Sequence, residues 1–187
     1  MINRIAFFNR LTTQNLYQKP LEHQKQGLNA ILDEWEGQGL TDLRWLAYML
    51  ATAYHETAKT IQPIEEYGKG KSKPYGSKIK YTGGTYDGDH IYYGRGLVQL
   101  TWYENYKAFG EKLGIDLLNF PEYCCSMPVA IKVMFKGMIE GLFTGVSLKR
   151  YFNETTEDWI NARKIINGKD KAELIAVYAK KFYECIK

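Results

Sequence analysis

The segment Thr41-Asp42-Leu43-Arg44-Trp45-Leu46-Ala47-Tyr48-Met49-Leu50-Ala51-Thr52-Ala53-Tyr54-His55-Glu56-Thr57 decides the fold. From Leu43 to Tyr54 it is apolar on almost every side, the pattern of a helix enclosed by protein rather than one with a wet face. Thr41 or Asp42 offers a side-chain oxygen to cap its first turn. Such a segment predicts a mainly α-helical architecture with a buried helix at its centre. That helix delivers His55 and Glu56 at its last turn, where desolvation and the negative end of the helix dipole both disfavour a charged carboxylate. A general acid needs that condition.

Outward from this helix, residues 21–35 place Leu28, Ile31, Leu32 and Trp35 at helical spacing, with Gly37 and Gly39 to end the run. Residues 97–113, 127–143, 157–166 and 170–186 carry further helical patterns. Gly114, Gly145 and Gly168 close the first three, and Pro128 stands where the second begins. Between the central helix and these lies a glycine-, tyrosine- and lysine-rich stretch over 67–96 with no period of 2 or 3.6. It reads as a long ordered loop or short β-hairpin, and loops of that length in compact domains are usually functional.

The 187 residues are 45% hydrophobic, enough for a core without crosslinks, and no repeat or linker divides them. Cys124, Cys125 and Cys185 form neither a paired framework nor a C-x-x-C spacing, so a reducing compartment of synthesis is expected. The net charge of +4 favours approach to an anionic polymer without choosing among them. The first ten residues lack the apolar run and small-residue cleavage site of a signal peptide. No stretch reaches the roughly 20 apolar residues of a membrane span. Synthesis in the cytoplasm, with no signal peptide, is the expectation.

A second acidic group follows the first closely. Pro63 interrupts any helix, and Glu65 and Glu66 come next, so that a carboxylate could fold back toward Glu56. Paired carboxylates hydrolyse glycosidic bonds, with inversion when held roughly 6.5–9.5 Å apart to admit a water and with retention at about 5–5.5 Å. Other chemistries lack parts. A zincin helix needs His at position 59, which is Lys59, and only His23, His55 and His90 could serve a metal site or triad. Gly70-Lys71-Ser72 would suit a phosphate loop only with an earlier glycine where Glu65 stands, and no G-x-S-x-G elbow occurs. No metal or cofactor is implied. Lys69, Lys71, Lys73, Lys78 and Lys80 lie among tyrosines, but no nucleic-acid-binding motif accompanies their charge, so no nucleic-acid partner is expected.

In order along the chain, His55-Glu56-Thr57, Glu66, Tyr92-Tyr93-Gly94-Arg95-Gly96-Leu97-Val98-Gln99-Leu100-Thr101-Trp102, Asn105-Tyr106 and Ile165-Ile166-Asn167-Gly168 resemble glycoside hydrolase family 19. That family comprises chitinases and related phage endolysins with a lysozyme-like fold. The resemblance runs from about residue 41 to the carboxyl terminus. It implies that Glu56 protonates the leaving glycosidic oxygen and that Glu66, or Glu65 if the alignment shifts by one, activates water for inverting attack. It implies further that Gln99, Thr101 and Asn105 line a cleft which Tyr93, Arg95 and Asn167 shape or contact.

The length and the absence of an internal linker predict one catalytic domain over 1–187, and a monomer is expected. The leading substrate that the resemblance implies is peptidoglycan of the bacterial cell wall, cut at β-1,4 bonds after release from the cell in the manner of a phage or prophage endolysin. Chitin oligosaccharide, or binding without catalysis, is the alternative. The residues of the central motif admit their own reading. Gly94 and Gly96 permit a tight turn before a helix beginning at Leu97, and Arg95 would sit against the carboxylates as an ion pair or a substrate ligand. Thr101 and Asn105, four apart, would share a helix face from which Gln99 is turned away. The chain departs from the family in having Ala58-Lys59 where Gly-Gly is common, Lys169 where a second glycine follows Asn-Gly, and no plant-type disulfide pattern.

Overall fold

A computed structural model describes residues 1–71, 75 and 91–187. Most of the loop expected over 67–96 therefore lies outside the described residues, with Lys73, Lys78, Lys80 and His90. The elements run α1 (Arg4–Thr13), α2 (Glu22–Gly37), α3 (Leu43–Glu56), β1 (Ile64–Glu65), β2 (Arg95–Gly96), α4 (Tyr103–Leu113), α5 (Met127–Glu140) and α6 (Ala172–Ile186), with 3-10 turns at Pro121–Cys125, Leu148–Arg150 and Asn161–Ile165. This is a mainly helical, lysozyme-like arrangement.

Helix α3 is the central element that its apolar circumference requires. Every residue from Leu46 to Tyr54 is buried, and Asp42 caps the first turn by accepting the Arg44 N–H at 3.1 Å. Its main partner is α6, whose Ile175, Ala176, Ala179, Phe182 and Ile186 supply the complementary apolar stripe. Buried polar tips on α3 are satisfied across the core. The Tyr54 hydroxyl donates to the Leu16 carbonyl at 2.6 Å, and the Trp45 indole N–H donates to the Phe152 carbonyl at 3.0 Å. Helix α1 has no counterpart among the sequence expectations. It is too short and too weakly patterned to stand out, and it is fixed by Asn3 as cap and by Phe7 and Leu11, both fully buried.

Three of the expected helices are shorter than their apolar patterns. The pattern over 97–113 yields a helix only from Tyr103, because residues 95–100 close a tight turn in which the Arg95 and Leu100 backbones bond reciprocally at 3.2 and 2.9 Å. Helix α5 stops at Glu140 because Gly141, with φ 77°, takes the left-handed cap before Gly145 is reached. The pattern over 157–166 resolves into the 3-10 turn Asn161–Ile165. In each case apolar spacing marked burial correctly, while backbone geometry at glycine or at a turn decided where the helix could exist.

The chain leaves α3 through a turn that demands unusual backbone. Ala58, Lys59 and Ile61 have φ of 49°, 69° and 51°. The Thr57 hydroxyl anchors this turn, donating to the Ala53 carbonyl at 2.7 Å and accepting the Ile61 N–H at 2.9 Å. Left-handed backbone at Ala58-Lys59 gives a physical reason for glycine to suit these positions. Strand β1 then pairs antiparallel with β2, Ile64 opposite Gly96 and Glu65 opposite Arg95, so the two ends of the glycine- and tyrosine-rich segment meet.

Candidate active site

A cavity of about 430 Å³ is lined by residues from distant parts of the chain: Glu56 ending α3, Glu66 following β1, Gln99 and Thr101 in the turn after β2, Asn105 on α4, and Arg163 and Asn167. Its size falls in the range of small-ligand sites. Glu56 and Glu66 thus face one shared space although nine residues and a strained turn separate them.

Glu56 is held from behind. Arg163 Nη2 stands 2.8 Å from Glu56 Oε1, with the arginine side chain 3% and the glutamate side chain 16% exposed. Arg163 is itself fixed by Nε–H donation to the Asp170 carbonyl at 3.0 Å, while its Nη1 is buried with no hydrogen-bond partner among the described residues. Next door, burial pushes the His55 imidazole below its ordinary pKa of 6.5, and Arg163 and Lys171 act in the same direction against Glu56 and Asp170.

Glu66 is fixed by the backbone opposite. Its N–H donates to the Gly94 carbonyl at 2.7 Å, and its Oε2 accepts the Gly94 N–H at 3.0 Å. One carboxylate oxygen is therefore aimed by the Gly94 N–H, whose own carbonyl holds the Glu66 backbone, a connection that survives only while β1 and β2 stay registered. Glu65 points elsewhere: its Oε1 accepts from the Tyr93 hydroxyl at 2.6 Å and lies 3.4 Å from Arg95 Nε, and Lys69 Nζ is 3.2 Å from Oε2. Burial alone would raise the Glu65 carboxyl, but the Tyr93, Lys69 and Arg95 contacts outweigh it and hold the group below its usual range. Burial and the Glu65 contact in turn push the Tyr93 phenol up to about 12, keeping it a donor at neutral pH.

The Gly94-Arg95-Gly96 segment builds the wall between these carboxylates. A Cβ on Gly94 would stand 2.7 Å from Gln99 Oε1, and Gly96 combines φ +89° with a neighbouring Cys124 carbonyl that a Cβ would meet at 2.9 Å. Arg95 does not reach the cavity. It is 1% exposed, lies 3.6 Å over the Tyr93 ring, and donates from Nη1 to the Ile91 carbonyl at 2.8 Å and the Tyr106 hydroxyl at 3.0 Å. Tyr93 and Arg95, expected to shape or contact the cleft, therefore shape it from behind and are not among its lining residues.

Gln99, Thr101, Asn105 and Asn167 do line the cavity. Gln99 does so from a turn that precedes α4, so helical spacing does not turn it away from Asn105. Its φ is 54°, and its Nε2 donates to the Ile64 carbonyl at 3.2 Å. Asn105 Nδ2 donates to the Thr101 carbonyl at 2.9 Å. Arg163, Tyr75, Val98, Trp102, Phe143 and Ile166 also line the space and were not singled out from sequence. Arg163 had one available signal, a cation at a position that the apolar pattern of Ala162 and Ile165 marks as inward-facing.

The family model described as "Chitinase class I", glycoside hydrolase family 19, matches residues 39–153, more than half of the chain. Endochitinase At2g43590 of Arabidopsis thaliana is 38% identical over 85 residues, covering 46% of this chain and 31% of that protein. Inactive chitinase-like protein 1 of Hevea brasiliensis is 58% identical over 31 residues, 17% of this chain and 10% of its own length. The matched stretch thus spans about a third or less of these curated relatives. The solved structure of a bacterial family 19 chitinase superposes with a TM-score of 0.60 at 22% identity, covering 98% of this chain and 94% of the other, which establishes the shared fold. With its helical core and a sequence match through α3, the central motif and α5, the chain belongs to glycoside hydrolase family 19.

Proposed function

We propose that the protein hydrolyses β-1,4 bonds of an N-acetylhexosamine glycan in a single inverting displacement. One observation carries the reading: Glu56 and Glu66, delivered by separate elements, line the same cavity with Gln99, Thr101, Asn105 and Asn167 around them. Glu56 donates a proton to the leaving oxygen, and Glu66 takes one from the water that attacks the opposite face of the sugar. Glu65, bound to Tyr93 and Arg95 off the cavity, is a poor candidate for that second role. The names of the relatives make chitin oligosaccharide the first substrate to try. Peptidoglycan is the second, favoured by the net charge of +4, which suits an anionic wall polymer. On that reading the protein reaches its substrate after release from the cell.

The experiment follows the reducing-end anomer by proton NMR during digestion of hexa-N-acetylchitohexaose, with purified bacterial wall digested in parallel. Newly formed ends should be α. Ends that appear first as β would remove Glu66 from the role of base. Glu56→Gln and Glu66→Gln should each lower kcat on the order of 10²–10⁴-fold without unfolding the protein. Glu65→Gln should cost far less, and the reverse ranking would reassign the second carboxylate. A chain that binds either glycan and cuts neither would be a binding module.

A further inference from the structure

Among the residues facing the cavity, Trp102 occupies a backbone conformation that its side chain disfavours. Its φ and ψ are 74° and 139°, at the edge of a region that glycine alone occupies without cost. The conformation is held at both ends: the Trp102 N–H donates to the Tyr92 carbonyl at 2.9 Å, and its own carbonyl accepts the Tyr106 N–H at 3.0 Å, beginning α4. Folding by itself would favour glycine at such a position. The chain instead carries a tryptophan that is 44% exposed, whereas Trp35 and Trp159 are 2% and 5% exposed in the core.

The exposed ring lies on the wall of the cavity that holds Glu56 and Glu66, and it meets the Tyr75 ring edge-on, with centroids 4.8 Å apart at 82°. A pyranose ring in a β-1,4 chain presents C–H bonds on its faces and hydroxyl and acetamido groups around its rim. A flat aromatic surface matches the first, and the amides and hydroxyl of Gln99, Thr101, Asn105 and Asn167 match the second. We propose that Trp102 is a stacking platform for one sugar ring beside the scissile bond, and that its strained backbone is retained for this contact. The inference rests on the glycan-hydrolase reading above and adds a specificity-determining residue to it.

The test uses the Glu56→Gln protein, so that ligand survives, and measures calorimetric affinity for hexa-N-acetylchitohexaose and for a soluble peptidoglycan fragment. Adding Trp102→Gly should weaken binding about tenfold, the size of one aromatic contact. The melting temperature should hold or rise, because glycine relieves the positive φ. Trp102→Phe should keep most of the affinity. Unchanged affinity in the glycine variant overturns the stacking role alone. A fall of several degrees in melting temperature with affinity intact also overturns it, identifying Trp102 as a packing residue. Failure of the Glu56→Gln parent to bind either sugar defeats the hydrolase reading, and the platform with it.

Discussion

Arg163 and Arg95 are buried alike, 2% and 1% exposed, and each stands beside a glutamate. Arg163 backs Glu56, which opens on the cavity. Arg95 is 3.4 Å from Glu65, which does not, and is otherwise spent on the Ile91 carbonyl and the Tyr93 and Tyr106 rings that brace the wall. Desolvating a guanidinium is expensive in both places. At Arg163 the cost holds a carboxylate at the cavity wall, and at Arg95 it braces the two-stranded ladder beside Glu66. Burial and charge pairing alone therefore do not mark an active-site residue; what the pair faces does.

That contrast can be broken by substitution. Replacing the cavity-facing cation, Arg163→Met, should lower kcat for glycan hydrolysis on the order of 10²-fold, comparable to removing one preorganised electrostatic group. Arg95→Met should act first on stability, by about 3–5 kcal/mol in denaturant melts, since it strips partners from buried acceptors in the wall. Should Arg95→Met leave stability intact but abolish turnover, the division of labour fails.

Smaller effects sharpen the picture around Glu56. The left-handed turn after α3 should relax on Ala58→Gly, raising stability by about 1 kcal/mol in the same melts. Beside Arg163, His55 is held neutral, with a folded pKa below the ordinary 6.5, so the unfolded chain binds the proton more readily. The stability tied to this residue is complete above about 6.5 and is lost as pH falls below it toward the lower folded pKa. Melting temperature should therefore decline across that window, and His55→Gln should flatten that part of the profile.

Much of this organisation is legible along the chain. The apolar circumference over 43–54 announces a central helix with Glu56 at its end, because a segment with no polar face must be enclosed on all sides. The Gly94-Arg95-Gly96 block announces a turn, because glycine permits the close approach of Gln99 and Cys124 that the wall requires. What eluded the pattern were events set by backbone bonding: the helix that waits until Tyr103, the cap at Gly141, and the short 3-10 turn that carries Arg163.

By itself the sequence determined the helical class, the family and the carboxylates available for chemistry, since these follow from local periodicity and from motifs that survive without coordinates. Which of the adjacent Glu65 and Glu66 turns to the cavity, and which buried arginine stands beside Glu56, only the tertiary structure decided. Glu65 ends the strand and Glu66 leaves it, and what each side chain faces is fixed by what packs against it from elsewhere in the chain.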